Sequence, residues 1–242
     1  MTDSLIIIPT YNEKENIEKI IRTVFSLEKS FHILIIDDGS PDNTAKIVKA
    51  LQKKYPEQLH IQERTEKLGL GTAYIHGFKW ALNREYKFIF EMDADFSHNP
   101  HDLTKLYNAA VKSEGIAIGS RYVKGVNIVN WPMSRLLMSF FASKYVRLIT
   151  GMPIHDSTAG FKCYKRKVLE TINLDKIQFI GYAFQIEMKF KAWKYGFNLV
   201  EVPVIFTDRT EGVSKMSSGI FMEAVLGVIE MKIKSFFRRW NK

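Results

Sequence analysis

Short, wholly apolar runs punctuate the first half of the chain, separated by segments in which apolar residues recur at helical spacing. Leu5-Ile-Ile-Ile8, closed by Pro9, is the first run, and His32-Ile-Leu-Ile-Ile36, Phe88-Ile-Phe90 and Ile116-Ala-Ile118 follow. Runs this short and this rich in β-branched residues predict strands buried on both faces. Between them, Ile17, Ile20, Ile21, Val24 and Phe25 fall on one helical face, as do Ile47, Val48 and Leu51. Ala73, Phe78 and Ala81 belong to a third predicted helix, and Leu103, Leu106, Ala110 and Val111 to a fourth. Start signals sit where they are needed: Asn12 with Glu15 as an N-cap box, Ser40 before Pro41, and Asn99 before Pro100. Strand and helix alternate, which predicts an α/β fold with a mostly parallel central sheet and helices on both faces.

The second half has a different pattern. Trp131 to Ile149 is amphipathic, with Leu136, Leu137, Phe140, Phe141, Tyr145 and Leu148 on its apolar side and Arg135, Lys144 and Arg147 on its polar side. A core helix and a helix lying at a membrane surface both fit it. Phe184-Gln-Ile-Glu-Met-Lys-Phe190 alternates with period two, which on pattern alone predicts a strand. Val202-Pro-Val-Ile-Phe206 predicts a late strand, Pro203 marking its start or a sheet edge. The stretch from Thr207 to Met216 predicts a flexible loop carrying Arg209 and Lys215, two cations suited to phosphate. Ile220 to Trp240 predicts a long helix whose end mixes bulky apolar residues with Lys232, Lys234, Arg238 and Arg239. Packing on the domain and attachment to an interface both suit it.

Composition narrows the class. With 242 residues, 46% hydrophobic and 25% charged, the chain can bury a sizeable core. A net charge of +9 and a pI near 9.4 favour an anionic partner. Nucleic acid is disfavoured, because no groove-reading or base-stacking motif is present. Cys163 is the single cysteine, so no internal disulfide and no cysteine-based metal cluster is expected, and a reducing compartment fits. The amino terminus has no basic leader, and no apolar stretch reaches the length of a spanning helix. With no linker or repeat, one domain over 1–242 is expected.

Candidate chemistry clusters where predicted strands end. Phe88 to Phe90 leads into Asp93 and Asp95, and the carboxyl edge of an open α/β sheet is where ligands bind. Two carboxylates there suit a hard divalent cation holding substrate phosphates, although a polar turn after a strand has the same composition. Tyr11 and Glu13 occupy the first strand-to-helix junction, where a base could stack and hydrogen-bond or an ordinary turn could form. Asp37 and Asp38 repel each other at the second, a local cost that a base or ribose contact would explain. Leu68-Gly-Leu-Gly71-Thr72 is like a phosphate-cradling loop but lacks the P-loop lysine and the dinucleotide spacing.

Taken in order, Pro9-Thr-Tyr-Asn-Glu13, Asp37-Asp-Gly-Ser40, Leu68-Gly-Leu-Gly71, Asp93-Ala-Asp95 and Gly119-Ser-Arg-Tyr122 resemble the GT-A glycosyltransferases of family 2. The resemblance extends to the dolichol-phosphate (polyprenol-phosphate) mannose synthase branch through Asp156-Ser-Thr-Ala-Gly-Phe161 and the Arg209 to Lys215 loop. It implies inverting transfer of mannose from GDP-mannose to a polyprenyl phosphate, with residues 1–122 binding the nucleotide sugar and residues 123–242 meeting the acceptor and a membrane surface. It implies that Pro9, Tyr11, Glu13, Ile36 and Asp38 hold the guanosine part, and that Asp93 and Ala94 line the nucleotide site. Asp95 would bind Mg2+ or Mn2+ beside the diphosphate, with Asp93 and Ser97 completing the metal set. Arg121 would face a donor or acceptor phosphate, Arg209 and Lys215 would form the cationic pair of a closing loop, and Arg135 would contact the lipid phosphate.

Some members carry glutamine where this chain has Ser97, and a hydroxyl is a poorer ligand, so water is expected to fill the shell. Carboxy-terminal spans of some members have no counterpart in this sequence, which resembles the short form that uses a membrane-anchoring subunit or interfacial helices alone. The implied location is peripheral, on the cytoplasmic face of a membrane. The resemblance also places Phe184 to Trp193 in a helix, against its alternating pattern, and the helix is the reading adopted. Because a phosphate monoester is mostly ionised at neutral pH, no protein base is needed to activate such an acceptor. Alternatives are transfer of glucose or an N-acetylhexosamine from a UDP-sugar, and a non-catalytic nucleotide-sugar or membrane-binding scaffold.

Overall fold

In a computed structural model, residues 2–208 and 218–240 are described. The chain runs through β1 (Ser4–Thr10), α1 (Ile17–Phe25), β2 (His32–Asp37), α2 (Thr44–Gln52), β3 (Leu59–Glu63), α3 (Leu70–Leu82), β4 (Phe88–Glu91), α4 (Leu103–Val111) and β5 (Gly115–Ser120). It continues through β6 (Ile128–Val129), α5 (Met133–Thr150), β7 (Lys162–Lys165), α6 (Arg166–Thr171), α7 (Tyr182–Lys194), β8 (Asn198–Pro203), β9 (Phe206–Thr207) and α8 (Ser218–Phe236). Seven strands form one sheet in the order β3-β2-β1-β4-β7-β5-β8, and β6 pairs with β9. All neighbours in the large sheet are parallel except β7, which runs antiparallel to both β4 and β5.

Both faces of the sheet are covered, which is why β1, β2, β4 and β5 carry continuous apolar runs rather than alternating ones. Leu5, Ile7, Leu34 and Ile36 enter a core with Phe78 and Phe184, while Ile6, Ile8, Ile33 and Ile35 enter another with Ile20 and Leu106. The register sets Thr10 beside Asp37 and Ile7 beside Glu91. Parallel β1, β2, β4 and β5 therefore release their following loops at one edge. Strands β7 and β8 lie in this same sheet, which is continuous across the boundary between residues 122 and 123.

Several local expectations change. Helix α1 starts at Ile17 rather than beside Asn12, whose φ of +58° places it in the left-handed region. Helix α2 starts at Thr44, after Asn43, rather than at Pro41. Strand β3 carries no distinctive apolar run. Strand β7 was equally hidden, because Lys162 is a fully buried lysine, paired with Glu91 at 3.1 Å. The late strand is split into β8 and β9 around Val204 and Ile205.

The period-two segment is helical, as the resemblance implied. Gln185 and Lys189 lie one helical turn apart, as do Glu187 and Lys191, and all four are buried. Gln185 donates to Glu91 over 2.7 Å, and Lys189 donates to the Ala159 carbonyl over 2.7 Å. Glu187 pairs with Lys191 at 2.6 Å and accepts from the backbone N–H groups of Gln178 and Phe179. Polar residues here mark buried partners instead of a solvent face, so their spacing misleads a periodicity argument. Burial, followed by the neighbouring Lys162, pushes Lys189 well below the ordinary lysine range.

Helix α5 is not a core helix: only Ser143, Val146 and Thr150 are buried along it. Met133, Leu137, Met138, Phe141 and Leu148 are exposed, and Leu226, Ile229, Ile233 and Phe236 are exposed on α8, followed by Phe237. The two helices touch, Tyr145 donating to the Val225 carbonyl over 3.0 Å and Lys232 to the Thr150 carbonyl over 3.1 Å. No helix among the described residues is long and apolar enough to cross a membrane.

Candidate functional site

The first two loops at the carboxyl edge are stitched together. The backbone N–H groups of Asn12, Glu13 and Lys14 donate to Ser40 Oγ, Thr44 Oγ1 and Asp42 Oδ2 at 3.0, 3.0 and 3.1 Å. These contacts replace the capping box expected from Asn12 and Glu15. Asp37 builds the second loop, accepting from Thr10 Oγ1 at 2.8 Å, Ser40 N at 2.9 Å and Ser40 Oγ at 2.6 Å. Gly39 sits at φ +71°, and a Cβ there would lie 3.2 Å from the Thr65 carbonyl oxygen.

The adjacent Asp38 has a different fate. Arg64 Nε donates to it over 2.7 Å, and the same guanidinium reaches Thr72 Oγ1 at 2.8 Å. Burial raises the Asp38 carboxyl above its ordinary value, with the Arg64 bond opposing that rise. Arg64 was missed from sequence, where one cation after an unrecognised strand gave no signal. The glycine loop is a packing device: a Cβ on Gly69 would lie 2.3 Å from Ile180 Cγ2, and one on Gly71 2.9 Å from the Ile180 carbonyl oxygen. Tyr11 lies under the Lys67 ammonium at 4.9 Å, and Pro9 pairs with Ile36 in the sheet. The Ile36 side chain is fully buried in the core, so any nucleotide contact by this residue falls to its backbone.

Beyond β4, Met92 and Ala94 turn into the core, leaving Asp93 and Asp95 partly exposed. Asp95 Oδ1 accepts from the Ser97 N–H at 3.0 Å, while Phe96 takes a left-handed φ of +59°. Tyr74 Oη donates to Asp93 over 3.4 Å, and burial followed by Asp93 pushes that phenol well above its ordinary value. Two carboxylates one residue apart form an all-oxygen donor pair of the kind that holds Mg2+ or Mn2+. Among the described residues there is no cluster of three His, Cys, Asp or Glu residues able to hold a metal. Ser97, expected as a further ligand, is 4% exposed. Its observed contact is the backbone turn with Asp95. His98 is buried against Asp93, and His101 is exposed.

Arg121 follows β5 and is also buried. Its backbone N–H and Nε donate to Asp156 Oδ2 at 2.9 and 2.7 Å, and Nη2 reaches Asp156 Oδ1 at 2.6 Å and Thr158 Oγ1 at 2.8 Å. Arg121, expected to face a phosphate, gives this fork to a fully buried carboxylate. Burial, the largest influence on Asp156, acts upward, yet Arg121 and Lys189 together hold its carboxyl below the ordinary value. Glu201 on β8 fixes the same turn, accepting from Ser120 Oγ at 2.7 Å and from the Asp156 N–H at 2.9 Å. Arg135 stacks 4.1 Å above Trp131 and pairs with Asp208 at 2.9 Å. Arg209 and Lys215 lie outside the described residues.

The Glycosyl transferase family 2 model matches residues 5–172. The chain is 46% identical over 231 residues to a polyprenol monophosphomannose synthase of Mycolicibacterium smegmatis, covering 96% of this chain and 87% of the relative. It is 43% identical over 237 residues to an undecaprenyl-phosphate mannosyltransferase of Micrococcus luteus, covering 98% and 96%. Among solved structures, a mannosyltransferase from Pyrobaculum calidifontis in complex with GDP-Man and Mn2+ shares the fold. The TM-score is 0.57 with 15% identity, over 97% of this chain and 74% of that one.

Proposed function

The chain belongs to glycosyl transferase family 2 and has its GT-A fold, and from that premise we propose that it transfers mannose from GDP-mannose to a polyprenyl phosphate. The observation that carries this reading is identity of 46% across 96% of the chain to a polyprenol monophosphomannose synthase. The nucleotide-side residues Tyr11, Glu13 and Asp38, the acidic pair Asp93 and Asp95, and the Arg121 turn all lie on the loops of one sheet edge.

In this reading the guanosine lies against the stitched loops after β1 and β2, where Pro9, Tyr11, Glu13 and the Arg64-braced Asp38 are held. Asp93 and Asp95 would hold Mg2+ or Mn2+, which when bound would supply positive charge against the departing diphosphate. The acceptor phosphate enters already ionised, so this chain has to position it and offset its charge rather than remove a proton. Arg135, Arg209 and Lys215 are the cations assigned to those phosphates. Arg121 acts through Asp156 to fix the turn that carries the acceptor side. The apolar and basic faces of α5 and α8 seat the protein on the cytoplasmic surface of the membrane that contains the lipid, alone or beside a small anchoring subunit.

Donor profiling tests the reading. Labelled GDP-mannose, UDP-glucose and UDP-N-acetylglucosamine are each offered with a short polyprenyl phosphate, with and without Mn2+. Mannose should appear in lipid only from GDP-mannose and only with the cation; a lipid product from a UDP-sugar alone would overturn the assignment.

A further inference from the structure

Directly beneath the acidic loop lies an imidazole that the expected chemistry does not use. The Asp93 backbone N–H donates to His98 Nδ1 over 3.2 Å. Because Nδ1 accepts, the neutral ring carries its proton on Nε2. The ring is 6% exposed and stacks on Phe161 at 4.9 Å and 10°, with Phe206 edge-on at 5.6 Å and 77°. Backbone pairing joins the same two residues, His98 bridging to Phe206 in antiparallel fashion. The Phe206 N–H donates to the Asn127 carbonyl at 2.9 Å, and the Asn127 N–H donates to the Arg121 carbonyl at 2.8 Å. His98 is thus a joint with one arm on the acidic loop and the other on the strand pair that follows the Arg121 turn.

We propose that His98 is a positioning residue for the metal-binding carboxylate Asp93, holding the backbone of the acidic loop in the geometry that receives the cation and the donor diphosphate. The inference rests on the reading of Asp93 and Asp95 as the metal pair. A packing residue would need only a flat ring in this place, and phenylalanine would serve among Phe161 and Phe206. What an imidazole adds is an acceptor aimed at the one backbone N–H that fixes where the Asp93 side chain leaves the chain. Partners that orient metal ligands from behind are worth roughly 10–100-fold in metal affinity or activity.

Two variants separate the ring from its acceptor. His98→Phe keeps the stacked ring and removes the acceptor, whereas His98→Asn keeps a short side-chain acceptor and removes the stack. GDP binding is titrated by calorimetry with and without Mn2+, alongside the Mn2+ activation constant and melting temperature. His98→Phe should bind GDP alone as the wild type does, yet need roughly 10–100-fold more Mn2+ for tight GDP binding and for activity. His98→Asn should recover part of that loss. An unchanged Mn2+ requirement in folded His98→Phe would overturn the proposal, as would failure of both variants to fold or an equal loss with and without metal. If wild-type GDP binding ignores Mn2+, the metal pair itself is misassigned and the inference falls with it. A normal wild-type response with an unaffected variant sinks the inference alone.

Discussion

Arg64 and Asp38 form an ion pair at the proposed nucleotide side of the site, 2.7 Å from Nε to Oδ1, with both side chains under 10% exposed. The pair joins the loop after β2 to the loop that opens α3, because Arg64 also reaches Thr72. Removing one member of a buried pair strands the other charge, at a cost of about 3–5 kcal/mol. Arg64→Ala is therefore expected to lose stability on that scale in urea melts and to weaken GDP binding. Arg64→Lys should rescue stability only in part, since an ammonium cannot reproduce the guanidinium fork. Wild-type stability and GDP affinity in Arg64→Ala would show that the pair holds nothing in place.

Asp95 has a turn to build and a charge to offer, and the two can be separated. Asp95→Asn retains an oxygen for the Ser97 N–H while removing the negative charge. Its melting temperature should stay near that of the wild type while Mn2+-dependent transfer falls by about 100-fold or more. Asp95→Ala should lose transfer as well. Full activity in either variant would remove Asp95 from the metal role.

Asp156 binds the Arg121 fork with both carboxylate oxygens in a fully buried place. Its depressed carboxyl pKa means that stability from this group is complete above the ordinary aspartate value and is lost as pH falls through the lower folded value. Asp156→Ala should cost about 3–5 kcal/mol. Arg121→Lys should fold but melt lower and turn over more slowly, with KM for GDP-mannose nearly unchanged. A large rise in that KM would place Arg121 on the donor instead.

His32 and His60 sit at the opposite edge of the sheet, their rings 5.9 Å apart, and Tyr86 Oη lies 2.8 Å from His32 Nδ1. Burial lowers both pKa values first, with the amino terminus adding to the shift at His32 and His32 itself adding at His60. The unfolded chain then takes up protons before the folded one as pH drops below about 6.5. Stability is full above that point and declines as pH falls through the folded values. Melting curves between pH 7.5 and 5 should show this slope, and the double variant His32→Gln with His60→Gln should flatten it. An identical slope in the double variant would locate the acid sensitivity elsewhere.

Phe141 and Phe237 are exposed on and beside α5 and α8, close to the exposed cations Lys144, Arg147, Lys234 and Arg239. Insertion of a phenylalanine side chain into an apolar phase is worth roughly 1.5–3 kcal/mol. Flotation with anionic vesicles should recover the wild type, less of it at high salt, and far less of a Phe141→Ser, Phe237→Ser variant. No association at low salt would leave these helices without a membrane role.

The sequence by itself determined the layered α/β fold and the sheet edge that carries the candidate site. Apolar runs such as Ile33 to Ile36, short and rich in β-branched residues, read as strands covered on both sides, and polar groups following several such runs gather at one end of a parallel sheet. Asp93 and Asp95 were legible for that reason. Tertiary structure alone decided which charged groups face one another. Asp38 meets Arg64 across two strands, Arg121 meets Asp156 across an antiparallel insertion, and Lys162 meets Glu91 in the floor of the sheet. Each of these charges would cost several kcal/mol if buried alone, so the partner determines whether a charge stays inside, and the partner lies far away in the chain. The same cause hid β7 and gave α7 its strand-like alternation. His98 became visible as a joint only when Phe161 and Phe206 closed around it.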